Sequence, residues 1–210
     1  MNAAQATPTV FVVDDDRTFL GALLLALESA DLAVETFVSA PRFLHAYRPE
    51  RPGCLVLDVR MPEMTGLELQ QTLDARGARI PIVFITGHGD VATSVAAFRR
   101  GAVDFLEKPF GDRALLNSVE LALSLDARDR QIENDKATVM ARFGRLTCRE
   151  QEIMALVASD MSAREIAAGL HISPRTVEHH REHVMTKMSA GSLHDLIIMA
   201  VICGLHELRL

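Results

Sequence analysis

Acidic, hydroxyl and amine side chains follow short apolar segments of the chain, and together these types suit phosphoryl chemistry. They are Asp14, Asp15, Asp16, Asp58, Thr86 and Lys108. Clustered carboxylates repel one another unless a cation neutralises them, and Mg²⁺ (or Mn²⁺) prefers oxygen ligands. A carboxylate beside such an ion can attack phosphorus and become an aspartyl phosphate. Lys108 would offset charge on the phosphoryl oxygens, and Thr86 would donate a hydrogen bond to one of them.

Short β-type runs alternate with helical segments through residue 125, which predicts an α/β doubly wound, five-stranded parallel sheet. The predicted strands are Val10–Val13, Leu32–Phe37, Gly53–Leu57, Pro81–Ile85 and Val103–Leu106. The predicted helices are Arg17–Ala30, Ala40–Tyr47, Thr65–Arg76, Val91–Arg100 and Asp112–Leu125. In such a sheet, functional groups collect beyond the C-terminal ends of the strands. We therefore expect the carboxylates, the hydroxyl and the amine at one edge.

Other roles are open for two of these aspartates. Asp16 stands where a residue that caps the first helix is expected. The segment FVVDDDRT also resembles the nucleophile motif of haloacid-dehalogenase phosphatases, with Asp14 as the nucleophile. That family needs a further acidic pair beyond its lysine, whereas Lys108 is followed by a lone Asp112 that resembles a helix cap.

Composition indicates a folded chain without a disulfide framework or a membrane span. Of the 210 residues, 49% are hydrophobic and 24% are charged, which excludes a largely disordered protein. The longest strongly apolar run, Leu196–Leu205, is shorter than the ~20 residues of a transmembrane helix. The N-terminus has no signal-peptide pattern. The cysteines Cys54, Cys148 and Cys203 lie far apart, which argues against a zinc site and favours the cytoplasm.

Charge divides the chain unevenly and suggests two modules. Residues 1–125 contain 11 basic and 16 acidic side chains, and residues 126–143 contain four of each. Residues 144–210 contain seven basic and eight acidic side chains together with six of the eight histidines. An acidic module that can bind cations is thus followed by a nearly neutral, histidine-rich one.

The second module has the pattern of four helices with a tight turn in the middle. Capping boxes of the form [ST]-x-x-[DE] begin at Thr147, Ser162 and Ser192, and Ser173 precedes a proline that suits a first helical position. Helices are predicted near 148–158, 163–169, 174–188 and 193–203. The short link from the second to the third predicts a helix-turn-helix, in which the later helix lies in the DNA major groove.

Residues 112–143 are predicted to form one long amphipathic helix that links the modules. Leu125, Ile132 and Val139 recur at a spacing of seven, as in a coiled coil. Asp129 and Lys136 fall in the companion positions and weaken that interpretation. A coiled coil and a solvated helical linker both remain open.

Four segments resemble the signature segments of response-regulator receiver domains, which have a flavodoxin-like fold. They are VFVVDDD, CLVLDVRMPEMTG, IVFITGHGD and GAVDFLEKPF, and the resemblance covers residues 9–125. It implies that Asp58 accepts the phosphoryl group and that Asp14, Asp15, Asp58 and the backbone carbonyl of Arg60 bind Mg²⁺. It also implies the following roles: Thr86 as switch hydroxyl, Phe105 as switch aromatic, Lys108 as phosphate-binding amine, and a cis peptide before Pro109. Arg60 and His88 are candidates for tuning dephosphorylation.

Residues 144–210 resemble the LuxR/NarL-type helix-turn-helix, and the whole chain resembles the FixJ-type response regulators. The candidate DNA-binding residues are Arg164, Ser173, Arg175, Thr176, His179, Arg181, His183 and Lys187. The family often has lysines where Glu178 and Glu182 stand, although FixJ-type members also carry glutamate at the first of these positions. The general basic field is therefore weak here. His179 and His183 have the i, i+4 spacing of a metal-binding pair, but no third ligand is evident. Their contact with DNA would make binding sensitive to pH.

The resemblance predicts a transcription factor that is switched by phosphorylation and is not a conventional enzyme. The receiver would catalyse only its own phosphoryl transfer and dephosphorylation. The implied partners are a sensor histidine kinase, double-stranded DNA and a second copy of the chain. The expected dimer face comprises helix 91–100, strand 103–106 and helix 112–125, and RNA polymerase is a further candidate partner.

The alternative is an atypical regulator whose second module binds a protein, or binds DNA without phosphate. The assigned domains are a tail (1–8), the receiver (9–125), a linker (126–143) and the DNA-binding domain (144–210).

Overall fold

The computed structural model describes residues 7–87 and 101–205, and the chain divides into two compact units, residues 1–130 and 131–210. The predicted helix over 91–100 and the tuning candidate His88 lie outside the described residues. The helices of the described part are labelled in chain order.

The first unit contains a five-stranded parallel sheet with the order β2-β1-β3-β4-β5. The strands are β1 (Thr9–Val13), β2 (Ala33–Phe37), β3 (Gly53–Asp58), β4 (Ile82–Thr86) and β5 (Asp104–Glu107). The helices are α1 (Arg17–Glu28), α2 (Ala40–Ala46), α3 (Gly66–Ala75) and α4 (Asp112–Phe143). This confirms the predicted doubly wound sheet, and each strand boundary lies within one residue of its predicted position.

Successive residues of a strand point to opposite faces of the sheet, and helices cover both faces. Side chains on both faces are therefore buried. On one face, Phe11 of β1 packs in a cluster with Phe43 of α2 and Leu69 of α3. On the other face, Val12 packs with α1 and with the first part of α4. The apolar runs that predicted the strands are therefore explained by burial on both faces.

Two local features shape the edge of the sheet where β1 and β3 end. The Asp16 side chain accepts hydrogen bonds from the backbone N–H groups of Thr18 and Phe19, so the prediction that it caps α1 is confirmed. After β3, the chain turns back so closely that a Cβ atom on Gly66 would lie 2.3 Å from the backbone oxygen of Asp58. Only glycine permits this approach.

Helix α4 runs without interruption from Asp112 to Phe143, which confirms the prediction of one long helix. Asp126, which is 4% exposed, accepts a hydrogen bond from the Gly53 backbone N–H at 2.8 Å. It also accepts two bonds from Nε of Arg130, whose other nitrogens donate to the carbonyls of residues 49–51. We call Asp126, Arg130 and these backbone partners the α4 clamp. The choice between a coiled coil and a solvated linker stays a prediction.

Up to residue 205, where the described part ends, the second unit contains the end of α4 and four further helices. They are α5 (Cys148–Ala158), α6 (Ala163–Leu170), α7 (Pro174–Met188) and α8 (Leu193–Ile202). Thr147 and Ser162 form capping boxes at α5 and α6, and the Ser192 side chain caps α8. All four predicted helices are confirmed. Their buried core includes Ile153, Ile166 and Val177.

Among the helices of residues 7–87 and 101–205, none is long and apolar enough to cross a membrane.

We expect Gly66→Ala to lower the free energy of unfolding of the first unit by about 2 kcal/mol, because the new Cβ would overlap the Asp58 carbonyl. Urea unfolding followed by the fluorescence of Tyr47, the single tyrosine in a chain without tryptophan, measures this unit alone. Gly21→Ala is the matched control. Its Cβ would meet no atom within 4 Å, and alanine should stabilise α1 by about 0.5–1 kcal/mol. Equal stability of the two variants would contradict the close approach at Gly66.

Candidate functional site

Two aspartates lie side by side at the C-terminal edge of the sheet, because β1 and β3 are neighbouring parallel strands. Asp14 directly follows β1 and Asp58 is the last residue of β3. They are 1% and 5% exposed, respectively. Burying two carboxylates so close together is unfavourable unless positive charge or hydrogen-bond donors compensate them.

The ammonium group of Lys108 supplies that compensation. Its Nζ donates to Oδ2 of Asp14 at 2.7 Å and to Oδ1 of Asp58 at 2.9 Å. It also lies 4.0 Å from the centroid of the Phe19 ring, a cation–π distance. Hydrogen bonds between ionised partners of this kind are about twice as strong as neutral ones. The structure thus brings together three of the predicted site residues.

Backbone N–H groups hold the second oxygen of each carboxylate. The N–H of Arg60 donates to Oδ2 of Asp58 at 2.6 Å, and the N–H of Asp16 donates to Oδ1 of Asp14 at 2.8 Å. Burial raises the pKa of Asp58 above its ordinary value, although Lys108 and the Arg60 N–H act in the opposite direction. Burial alone would lower the pKa of Lys108, but its bonds to the two aspartates outweigh burial and raise it.

Thr86 and Lys108 are connected through the backbone. Thr86 is the buried last residue of β4, and its carbonyl accepts a hydrogen bond from the Lys108 N–H at 2.7 Å. Phe105 on β5 is partly buried, and its ring centroid lies 6.4 Å from that of Phe84. The Lys108–Pro109 peptide is cis, as the family resemblance implies.

The oxygen donors at this edge fit a hard divalent cation such as Mg²⁺. Asp14 and Asp58 already share one positive group, so their carboxylates converge on a common point. Asp15 and Arg60, the other residues implied as ligands, are exposed. Within the described ranges, no group of three His, Cys, Asp or Glu side chains has metal-binding geometry. The two buried carboxylates are therefore the part of the predicted ligand set that the structure brings together.

Sequence reasoning missed Phe19, which lies beneath the Lys108 ammonium and packs edge to face against Phe110. Its position on the first turn of α1 carries no motif that distinguishes it from an ordinary core residue. Only the distance to Lys108 reveals the contact.

A second candidate site lies on α6, α7 and the turn between them. His171 ends α6 in the left-handed conformation with φ of 55°, and Ser173 caps α7. The Ser173 and Thr176 hydroxyl groups are 2.8 Å apart, and Ser173 also accepts from the Thr176 N–H. These two predicted DNA-contacting side chains thus stabilise the start of α7.

The basic candidates of the helix-turn-helix differ in how far their charge is compensated. Within residues 7–87 and 101–205, Arg164 and Arg175 are exposed and have no ion-pair partner. Arg181 donates to Glu178 at 3.1 Å. The Lys187 amine bonds both carboxylate oxygens of the buried Glu150, at 2.8 and 2.7 Å.

The candidates His179 and His183 are exposed neighbours on α7, with ring centroids 4.2 Å apart. Nδ1 of His183 also lies 3.8 Å from Oε1 of Glu150. The two rings are neighbours on one side of α7, as their i, i+4 spacing on a helix requires. Their contact with DNA stays a prediction.

Both units match known family models. Residues 10–120 match the response regulator receiver domain, and residues 145–200 match the luxR family of bacterial regulatory proteins. The chain is 44% identical over 195 residues to the transcriptional regulatory protein FixJ of Azorhizobium caulinodans, covering 93% of this chain and 92% of that protein. This protein belongs to the FixJ-like response regulators. It is a phosphorylation-dependent transcription regulator with a receiver and a LuxR-type DNA-binding domain.

Other relatives of this response regulator have similar organisation. The response regulator protein TodT of Pseudomonas putida is 40% identical, covering 90% of this chain and 83% of that one. The solved structure of the response regulator StyR is 45% identical, with a TM-score of 0.84, 93% of this chain covered and 99% of that chain. Full-length FixJ from B. japonicum is 39% identical, with a TM-score of 0.58, covering 96% of this chain and all of that one. Family membership decides against the haloacid-dehalogenase alternative.

For this response regulator we expect acid to destabilise the second unit through Glu150. Hydrogen bonds from Lys187 and from Thr147 lower the Glu150 pKa from the usual 4.5 to about 2. Because the folded state depresses this pKa, the stabilisation is present above pH 4.5 and is lost as the pH falls towards 2. Glu150→Gln should cost about 1 kcal/mol at pH 7, and the difference should vanish near pH 2.

Urea unfolding followed by far-ultraviolet circular dichroism measures this effect, with Tyr47 fluorescence separating the receiver transition. Glu152→Gln, an exposed glutamate on the same helix, is the control and should change stability by less than about 0.5 kcal/mol. A Glu150→Gln deficit that stayed constant with pH would show that the lost contact is not the ionised pair.

Proposed function

We propose that Asp58 of this response regulator accepts a phosphoryl group from a partner histidine kinase. The observation that carries this assignment is the double contact of the Lys108 ammonium with Asp14 and Asp58. Asp58 ends a fully buried strand, so its position is fixed before any phosphoryl donor arrives. Lys108 is placed to neutralise an anion that forms at Asp58.

In the proposed transfer, an Asp58 carboxylate oxygen attacks phosphorus of the donor's phosphohistidine. A P–O bond forms, the P–N bond breaks, and the imidazole leaves. Mg²⁺ bound by Asp14, Asp15, Asp58 and the Arg60 carbonyl would neutralise charge on the phosphoryl oxygens. Lys108 and the Arg60 N–H hold the attacking carboxylate in place. We assign no chemistry to the protein beyond this transfer and its own dephosphorylation, which Arg60 and His88 would tune.

Phosphorylation would then alter contacts that Asp58 and Lys108 now share. A phosphoryl group attracts Lys108 and the Thr86 hydroxyl, and the backbone bond from Lys108 to Thr86 makes the ends of β4 and β5 respond together. Phe105, on β5, is the proposed switch aromatic. The proposed dimer face of helix 91–100, β5 and the start of α4 would then pair with a second copy.

The proposed output is binding of the dimer to double-stranded DNA in the cytoplasm. The assigned contacts are Arg164, Ser173, Arg175, Thr176, His179, Arg181, His183 and Lys187. Two recognition helices would read half-sites one DNA turn apart, and contact with RNA polymerase would follow at the promoter. We assign residues 9–125 to the receiver, 126–143 to the linker and 144–210 to the DNA-binding domain, although the first turn of that linker is bonded to the receiver through the α4 clamp.

A second candidate function is supported by the partners of Lys187 and Arg181. Both side chains are bonded to glutamates, so little uncompensated positive charge remains on α7. The second unit could therefore act on a protein partner, or bind DNA without phosphate gating. The experiments below distinguish these outcomes.

We expect Asp58→Asn to abolish incorporation of phosphate from acetyl phosphate with Mg²⁺ and to abolish phosphate-stimulated dimerisation. The amide cannot form an aspartyl phosphate. Phosphate incorporation is read by intact mass, and dimerisation by sedimentation. Asp16→Asn is the matched control, since asparagine caps α1 as well as aspartate does. Normal phosphate-stimulated dimerisation of Asp58→Asn would disprove the assignment of Asp58.

We expect Arg175→Ala to weaken operator binding about tenfold and to reduce the slope of log affinity against log salt by about one, if this exposed side chain contacts a phosphate. Operator DNA comes from selection of random duplexes by the phosphorylated protein, and affinity is measured by fluorescence anisotropy. Arg145→Ala, an exposed arginine outside the helix-turn-helix, should leave both quantities unchanged.

The same selection of random duplexes, run with and without acetyl phosphate, tests the second candidate function. Equal enrichment in the two selections would favour DNA binding without phosphate gating, and no enrichment in either would favour a protein partner.

A further inference from the structure

The solvent-facing side of α7 carries an acidic residue in its first half. Val177 and Val184 are buried in the core of the second unit, which leaves the opposite side of the helix exposed. Glu178, the residue after Val177, lies at the edge of that exposed side, and its side chain is 54% exposed. The first residues of a recognition helix are the ones that reach base edges in the major groove. Glu178 is therefore placed to meet DNA.

A basic neighbour holds the Glu178 carboxylate in place. Arg181, one turn along α7, donates from its Nη1 to Oε1 of Glu178 at 3.1 Å. The described contacts engage only this oxygen, so Oε2 can still accept a bond from an external donor. The nearby guanidinium also offsets the repulsion between Glu178 and DNA phosphates. The pair thus combines an oriented acceptor with reduced net charge.

The chemistry of the major groove limits what a carboxylate can bind there. Its base edges offer hydrogen-bond donors only at cytosine N4 and adenine N6. On adenine, the acceptor N7 stands beside the donor and repels a carboxylate, whereas cytosine presents no such acceptor on its own edge. We propose that Glu178, oriented by Arg181, selects a cytosine in each operator half-site. This role rests on the proposed DNA-binding function and specifies which base is read.

Glu182 differs from Glu178 in two respects. It lies one turn further along α7, and no ion pair of its carboxylate occurs within residues 7–87 and 101–205. Its backbone carbonyl accepts a bond from the Thr186 hydroxyl, which does not involve the carboxylate. Glu182 is therefore the matched control: it has the same chemistry on the same helix without the arginine.

The test is selection from random duplex DNA with the full chain, phosphorylated by acetyl phosphate and Mg²⁺. The wild type and Glu182→Gln should enrich half-sites with a cytosine at one shared position. Glu178→Gln should replace that cytosine with adenine, because a glutamine amide pairs with adenine N6 and N7. The ratio of affinity for the cytosine duplex to affinity for the adenine duplex should be about tenfold lower for Glu178→Gln than for the wild type.

Glu178→Ala separates a loss of base preference from a general loss of DNA affinity. It should lose the preference for cytosine at this position and keep the rest of the consensus. Retention of the wild-type cytosine preference by both Glu178→Gln and Glu178→Ala would overturn the role of Glu178. Failure of the wild type itself to enrich any sequence would instead overturn the DNA-binding function on which this role rests.

Discussion

The receiver unit depends on one electrostatic constraint, which is that two carboxylates are buried at neighbouring strand ends. Asp14 and Asp58 can remain there because the Lys108 ammonium bonds to both of them. Much of the surrounding fold holds this arrangement. The parallel register of β1 and β3 sets the spacing, Gly66 allows the chain after β3 to pass the Asp58 backbone, and the Phe19 ring supports the ammonium.

The helical unit also buries a carboxylate that needs a positively charged partner. Glu150 completes the capping box of α5 and is buried, so its charge needs a partner, and Lys187 of α7 provides one. The lysine thereby ties the recognition helix to α5. This positive charge is used inside the unit, which leaves Arg164 and Arg175 as the exposed basic candidates with no ion-pair partner within residues 7–87 and 101–205.

Sequence patterns predicted the elements well because burial on both faces leaves continuous apolar runs, as in β3, and because capping boxes mark helix starts. The acidic edge followed from topology, since parallel strands bring their ends together. Side-chain partners across long separations left no such pattern. Neither the bond between Asp126 and Gly53 nor the stacking of Lys108 on Phe19 has a periodic signal. Lys187 was assigned to DNA for its type and position, and only the structure shows its amine on Glu150.

The α4 clamp bears on how regulators of this kind can exchange parts. A cut after residue 125 would separate the receiver from Asp126 and Arg130, and the Gly53 N–H and the carbonyls of residues 49–51 would lose the partners that the helix supplies. The hydrogen bonds of the receiver therefore extend past its sheet and signature segments to Arg130. A recombination that joins this receiver to a different effector keeps its hydrogen bonds only when the junction falls beyond Arg130. The unit that is exchanged in such a recombination thus includes Asp126 and Arg130, the first turn of the segment that the sequence predicts to be a linker.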